Sequence, residues 1–260
     1  MSLLSVENLN QVYTDAYTHE EMTAVGNVSF DIPEGQFISL IGPSGCGKTT
    51  VLNIVAGFIR ASGGSVMLAG KPISGPGPDR GVVFQDFALF PWKSVEANIA
   101  FGLKMRGVDK AERKRRAREV IELVGLSGFE AKYPHELSGG MRQRVGVARV
   151  LATEPTMMLM DEPFASIDAQ TRRVLQQEVL RIWEQERPTV LFVTHDVDEA
   201  IFMSDRVIVL SSRPSAVQAD IEIPIPRPRT WSDVYADPAF VRIRRELMAM
   251  LGVDDDEKGS

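Results

Sequence analysis

Gly42-Pro43-Ser44-Gly45-Cys46-Gly47-Lys48-Thr49 fits the spacing G-x-x-x-x-G-K-[ST]. The glycines let a backbone curl so that successive N–H groups face phosphate oxygens, and a helix start adds the positive end of its dipole. Lys48 supplies a point charge for β- and γ-phosphates, and the Thr49 hydroxyl can ligate Mg2+. A plain Gly-rich turn is the bland alternative. It is disfavoured because the apolar run Phe37–Ile41 precedes the loop and a helix-like segment, Lys48–Ile59, follows it. Cys46 reads as a small loop residue.

Two more stretches have chemical potential. Met157-Met158-Leu159-Met160 is an apolar strand pattern ending in Asp161-Glu162. Ligands sit at strand ends in α/β sheets. Beside a phosphate loop, Asp161 would hold Mg2+ directly or through water, and Glu162 would orient or deprotonate a water attacking a γ-phosphate. Leu137-Ser138-Gly139-Gly140-Met141 precedes another helix-like segment. It reads either as an ordinary helix capped by Ser138 or as a second phosphate-binding helix start, and spacing does not choose.

These residues need a scaffold. Val28–Ile32 alternates as a half-buried strand, whereas Phe37–Ile41 is a nearly continuous apolar run, as in a parallel strand covered on both faces. Ser65–Leu68 and Gly81–Phe84 are further short strands. From about Ser94 to Thr153 strand patterns give way to helical ones, including Asp109–Val124 and Gly139–Thr153. Strands return at Met157–Met160, Val190–Thr194 and Arg206–Leu210, with helices Ala169–Gln185 and Val197–Met203 between them. This alternation predicts an α/β fold with a parallel sheet and a helical insertion. Ile221–Arg229 is Pro-rich and extended, Asp237–Leu251 is one amphipathic helix, and Asp254–Ser260 is an acidic tail.

Composition narrows the class. The chain is 44% hydrophobic and 25% charged, ordinary globular values. Its net charge of −6, from 29 basic and 35 acidic residues, speaks against a chain-wide nucleic-acid grip. One cysteine excludes an intrachain disulfide and fits a reducing compartment. The start MSLLSVENLNQ is not a signal peptide, and no apolar run nears the ~20 residues of a membrane span. A soluble chain that reaches a membrane only through a partner is expected.

Taken in order, the phosphate loop, Leu137–Met141, Asp161-Glu162 and His195 resemble an ATP-binding cassette (ABC) ATPase, the nucleotide-binding subunit of a transporter. The resemblance runs from about Leu3 to Leu210. It implies a RecA-like P-loop ATPase core with an antiparallel β subdomain and an inserted helical subdomain at about 94–153. It implies an ATPase domain over 1–235, followed by a C-terminal helix and tail over 236–260.

ATP and Mg2+ are the expected ligands. Gly42 to Thr49 and Thr50 would bind nucleotide, with Tyr13 stacking on adenine and Tyr17 a rival. Glu162, His195 and Gln85 would be catalytic, His195 as the γ-phosphate sensor. Thr49, Gln85 and Asp161 would serve Mg2+. Leu137, Ser138, Gly139, Gly140 and Met141 would act on the ATP of a second copy in a head-to-tail dimer, and Asp168 would communicate across that dimer. By itself Asp168 would read as a helix N-cap. Met141 departs from the family's usual glutamine, and Ala165-Ser166 from its usual Gly-Ala. His19 and His135 read as surface residues.

Leu68–Gln85, Phe90-Pro91-Trp92, Asn98–Leu103 and Asp237–Phe240 resemble the nitrate/sulfonate/taurine importer ATPases, with taurine the first expectation. The implied partners are a permease, a second copy of the chain and, indirectly, a substrate-binding protein, with no nucleic acid. The implied location is the cytoplasmic face of the inner membrane. Phe87–Trp92 would dock on the permease, or would pack inside the subunit. The alternative function is a soluble ABC ATPase acting on a non-transport partner.

Overall fold

A computed structural model describes residues 2–252, so the expected acidic tail Asp254–Ser260 lies outside the described residues. The chain begins β1 (Ser2–Thr14), β2 (Glu21–Pro33), β3 (Phe37–Ile41), α1 (Lys48–Ala56), β4 (Gly63–Leu68) and β5 (Lys71–Pro72). Next come β6 (Arg80–Val83), α2 (Val95–Ile99), α3 (Phe101–Met105), α4 (Lys110–Leu123), α5 (Gly139–Leu151), β7 (Met157–Asp161) and α6 (Ala169–Glu186). It finishes β8 (Thr189–Val193), α7 (Val197–Met203), β9 (Arg206–Leu210), β10 (Val217–Glu222), α8 (Trp231–Ala236) and α9 (Pro238–Leu251). Two compact units result. One joins the chain up to Gly77 with the part from Thr189 onwards, and the other is Pro78–Pro188.

The first unit holds an antiparallel sheet in the order β2-β1-β4-β5. It also holds β3 paired in parallel with both β8 and β9, while β10 runs antiparallel to β9. Every residue of β3 and β8 is buried, as their mostly apolar composition requires, and the two polar exceptions are hydrogen-bonded, Ser39 with the Ser204 hydroxyl and Thr189 with the Gly35 amide. β1 has no counterpart in the sequence reading. Its inward residues Leu4, Val6, Leu9 and Gln11 break strict alternation because the register with β2 shifts between Val6 and Leu9.

The expected boundary after residue 235 does not divide the units. α9 packs on α7, the Trp231 ring stacks 4.0 Å from Phe202, and Arg244 Nε donates to Asp198 Oδ1 at 2.8 Å. The expected single helix Asp237–Leu251 is preceded by the separate α8, and Asp237 caps α9 through the Ala239 amide. Between β10 and α8, Ile223, Ile225 and Arg229 turn inward. The buried Arg229 guanidinium donates to the carbonyls of Ile201, Phe202 and Ser204 at 2.8–3.0 Å and to Ile225 at 2.7 Å. It thereby satisfies carbonyls at the end of α7 that the helix itself leaves open.

The second unit pairs β6 and β7 in parallel, Gly81 opposite Met158 and Val83 opposite Met160. Its helices α2–α5 lie inside the expected helical stretch 94–153, but the compact unit is wider, taking in both strands and α6. Among the described residues, no helix is long and apolar enough to cross a membrane.

Candidate nucleotide site

The loop Gly42–Gly47 links the end of β3 to the start of α1. Gly47, at φ +108°, is the N-cap of α1 and offers no capping side chain. The first N–H groups of the helix therefore remain open to an external acceptor. A Cβ at Gly42 would lie 2.7 Å from Cys46 Sγ and 2.8 Å from the Leu210 carbonyl oxygen, so the loop closes only with glycine there. Cys46 is buried, as a small loop residue should be.

Lys48 is buried too, and its Nζ donates to the carbonyls of Gly42 at 2.8 Å and Pro43 at 3.0 Å. The ammonium is thus held inside the curl of the loop, where a phosphate oxygen would find it. Ser44, Gly45 and Thr49 are exposed. Arg213, which the sequence reading missed, pins the loop from outside by donating from Nε to the Gly45 carbonyl at 2.9 Å. Nothing in the run Ser211-Ser212-Arg213-Pro214 signals this.

Tyr13 and Tyr17 separate clearly. The Tyr13 hydroxyl lies 3.4 Å from Thr50 Oγ1, at the loop. Tyr17 is 94% exposed, in a turn where Asp15 Oδ1 accepts from its backbone amide. His195 follows β8 and is exposed. Its neighbours are fixed. Thr194 Oγ1 accepts from the Asp196 amide at 3.1 Å and donates to Glu199, and Asp196 caps α7 through the Glu199 amide at 3.1 Å. His19 and His135 are exposed, as expected.

In the second unit, Gln85 is exposed just after β6, and Asp161 and Glu162 are half-buried at the end of β7. Glu162 has φ +44°, a backbone conformation that costs about 1 kcal/mol or more and concentrates at functional sites. Asp168 caps α6, accepting the Thr171 amide at 3.0 Å, and that bond holds its carboxyl below the ordinary aspartate range. Ser138 caps α5 through the Met141 amide at 3.3 Å. Leu137 and Gly140 are buried, whereas Gly139 has open space where a Cβ would stand. The plain capping roles of Ser138 and Asp168 are therefore real in the single chain.

The Thr49 hydroxyl, the Gln85 amide oxygen and the Asp161 carboxylate are hard oxygen donors. Each is of the donor type that Mg2+ takes, an ion that needs few protein ligands and completes its shell with water and phosphate. A dedicated all-protein cage is not needed, and among the described residues no group of three or more His, Cys, Asp or Glu is placed to hold a metal ion by itself.

A phosphate loop at the end of a parallel strand, followed by an uncapped helix, defines a P-loop nucleotide-binding protein. The ABC transporter pattern matches residues 25–165, and the chain belongs to the ABC transporter family. An uncharacterized ABC transporter ATP-binding protein of Methanocaldococcus jannaschii is 47% identical over 95% of this chain and 91% of its own. The taurine import ATP-binding protein TauB of Rhizobium johnstonii is 44% identical over 98% of both chains. The nitrate import ATP-binding protein NrtD of Synechococcus elongatus is 46% identical over 88% of this chain and 84% of its own.

Solved structures agree. A dimeric ATP-binding cassette in a post-hydrolysis state with ADP and Pi matches with a TM-score of 0.73 at 30% identity, over 85% of this chain and 98% of that one. The cbiO1 chain of Clostridium perfringens, part of the ABC transporter complex cbiONQ, matches with a TM-score of 0.76 at 25% identity, over 96% and 97%. The fold is the RecA-like P-loop core of the ABC ATPases, and the chain is an ATP-binding subunit of the ATPase class.

Proposed function

We propose that this chain is the ATP-hydrolysing subunit of a membrane importer for a small anion, with taurine the leading cargo. The observation that carries the ATPase half is the buried Lys48 ammonium inside a loop that ends in an uncapped helix start. The transport half rests on the taurine import relative, which aligns over 98% of both chains. A nitrate import relative stands at similar identity, so taurine and nitrate are the two cargoes to test first.

In this reading Gly42 to Thr50 receive the phosphates of ATP and Tyr13 stacks on adenine. Pro43, Ser44, Gly45 and Cys46 shape the loop. Thr49, Gln85 and Asp161 hold Mg2+, which supplies neutralisation of phosphate charge. Glu162 accepts a proton from the attacking water, Gln85 orients that water, and His195 reads the γ-phosphate. Leu137 to Met141 of one copy act on the ATP of a second copy, and Asp168 links the two sites. The dimeric state of the cassette solved with ADP and Pi supports this arrangement. Met141 lacks the amide of glutamine, so the contact to nucleotide falls to Ser138 and the backbone of Gly139 and Gly140.

The partners are a permease, seated on Phe87–Trp92, and through it a substrate-binding protein, with no role for nucleic acid. The work is done at the cytoplasmic face of the inner membrane. Reconstitution with the permease and binding protein in vesicles tests it. Internal ATP should drive uptake of labelled taurine. ATP-driven uptake of nitrate alone would reassign the cargo, and full ATPase activity with no response to any permease would favour a soluble ATPase.

A further inference from the structure

α4 begins KAERKRRAREV, and its cations divide into two sets. Arg115 pairs with Glu112 and Glu119, Arg116 with Glu154 at 2.9 Å, and Arg118 with Glu96 at 3.9 Å. Lys110, Arg113 and Lys114 make no ion pair among the described residues. These three converge with Lys93 and Lys104 on a cavity of about 260 Å3 between α2, α3 and α4. Glu96 is the cavity's one carboxylate, and Arg118 already engages it.

Five cations thus share a small space with one carboxylate that is already paired, in a chain of net charge −6. Three sit in the first turns of α4, where the dipole makes a cation unfavourable and an anion favourable. Asp109 caps that helix with its oxygen on the amides of Ala111 and Glu112, and it is not among the residues that line the cavity. The floor is apolar. The Phe101 ring lines it, and Lys93 Nζ lies over that ring at 5.5 Å. Met105, the residue after Lys104 in α3, is 63% exposed.

We propose that this cavity binds the phosphate headgroup of an anionic membrane lipid. Charge selects a phosphate-type anion. The apolar floor and exposed Met105 suit a headgroup still attached to its lipid better than a fully hydrated ion. Lys93 directly follows the docking segment Phe87–Trp92, so the cavity flanks the surface assigned to the permease. That last point rests on the transport reading, but the test does not, because it needs no permease.

The full-length chain is floated with vesicles of phosphatidylcholine alone and of equal parts phosphatidylcholine and phosphatidylglycerol. Binding to the second and not the first is expected. The variant Lys104→Gln/Arg113→Gln/Lys114→Gln should bind about a hundredfold more weakly, at roughly fivefold per cation. Arg115→Gln/Lys132→Gln/Arg181→Gln removes the same charge away from the cavity lining and should bind within about threefold of wild type. If the first variant melts early, Lys104→Gln alone, at an exposed position, should still lose about fivefold.

Equal losses in the two triple variants would overturn the proposal, because general charge would then explain the binding. So would displacement from the vesicles by millimolar inorganic phosphate, which would make the ligand a free anion. Absence of vesicle binding overturns it as well. That includes the case in which the first variant loses only permease stimulation, which would assign the cavity to an acidic protein segment.

Discussion

The buried amide of Asn98 grips Phe90 from both sides. The Phe90 N–H donates to Asn98 Oδ1 at 2.9 Å, and Asn98 Nδ2 donates back to the Phe90 carbonyl at 3.2 Å. The same Nδ2 reaches the carbonyls of Lys93 and Ser94 at 3.0 Å. Phe90 also packs 4.5 Å from Phe101, whereas Trp92 is 70% exposed. Arg149 Nη1 donates to the Ala88 carbonyl at 2.6 Å, so the strained pair Phe87 and Ala88, both at positive φ, is held as well.

The segment Phe87–Trp92 is therefore built rather than loose, and its two aromatics should part under mutation. Phe90→Ser removes a half-buried ring and should lower the melting temperature of the isolated chain by several degrees, for about 2 kcal/mol. Trp92→Ser should melt like wild type yet lose most permease stimulation of the ATPase. Full coupling in the folded Trp92→Ser variant would take Trp92 out of the docking surface.

Lys48→Ala should reduce ATP hydrolysis by at least about a hundredfold, since a fixed cation aimed at the phosphates is removed. Circular dichroism should still report a folded chain. Wild-type turnover would mean that the loop does not bind the transferred phosphate.

Asp168 gives a pH signature. Its folded carboxyl titrates below the ordinary range because it accepts the Thr171 amide. Such a group stabilises the fold above its unfolded pKa, near 3.9, and that contribution is lost as pH falls through the lower folded value. The melting-temperature gap between wild type and Asp168→Asn should be constant from pH 7 to about 5 and close below about pH 4. A gap that persists unchanged at pH 3 would contradict the cap's charged form.

Arg229→Met should cost about 3–5 kcal/mol, because it orphans carbonyls at the end of α7 and beside Ile225. A fall of roughly 10 °C in melting temperature is expected for a chain of this size. A neutral result would show that water satisfies those carbonyls.

The parts legible in the sequence were those with a local physical cause. The run Phe37–Ile41 is apolar at all but Ser39 because strands pair on both of its edges and its faces are covered. Lys48 to Thr49 declare themselves because phosphate geometry fixes residue type and spacing together. Asp109 and Asp168 sit where short polar residues cap helices.

The illegible parts depend on distant partners. β1 hides its period behind a register shift, and α8 is a short helix packed through the Trp231 ring. Arg213 and Arg229 look like surface cations until the carbonyls that they serve, Gly45 and the end of α7, fold against them. Asn98 reads as an ordinary polar helix residue, although its amide sets the path of the chain eight residues earlier.

The most direct test of the central claim, an ATPase whose sites form between two copies, is the Glu162→Gln variant with ATP and Mg2+. The amide keeps the shape of the carboxylate but is a far poorer base. Light scattering after size exclusion should give twice the mass of one chain, with one unhydrolysed ATP per chain, and wild type should return to single chains as ATP is consumed. Normal steady-state turnover by Glu162→Gln, or a variant that binds ATP and stays a single chain, would contradict the account.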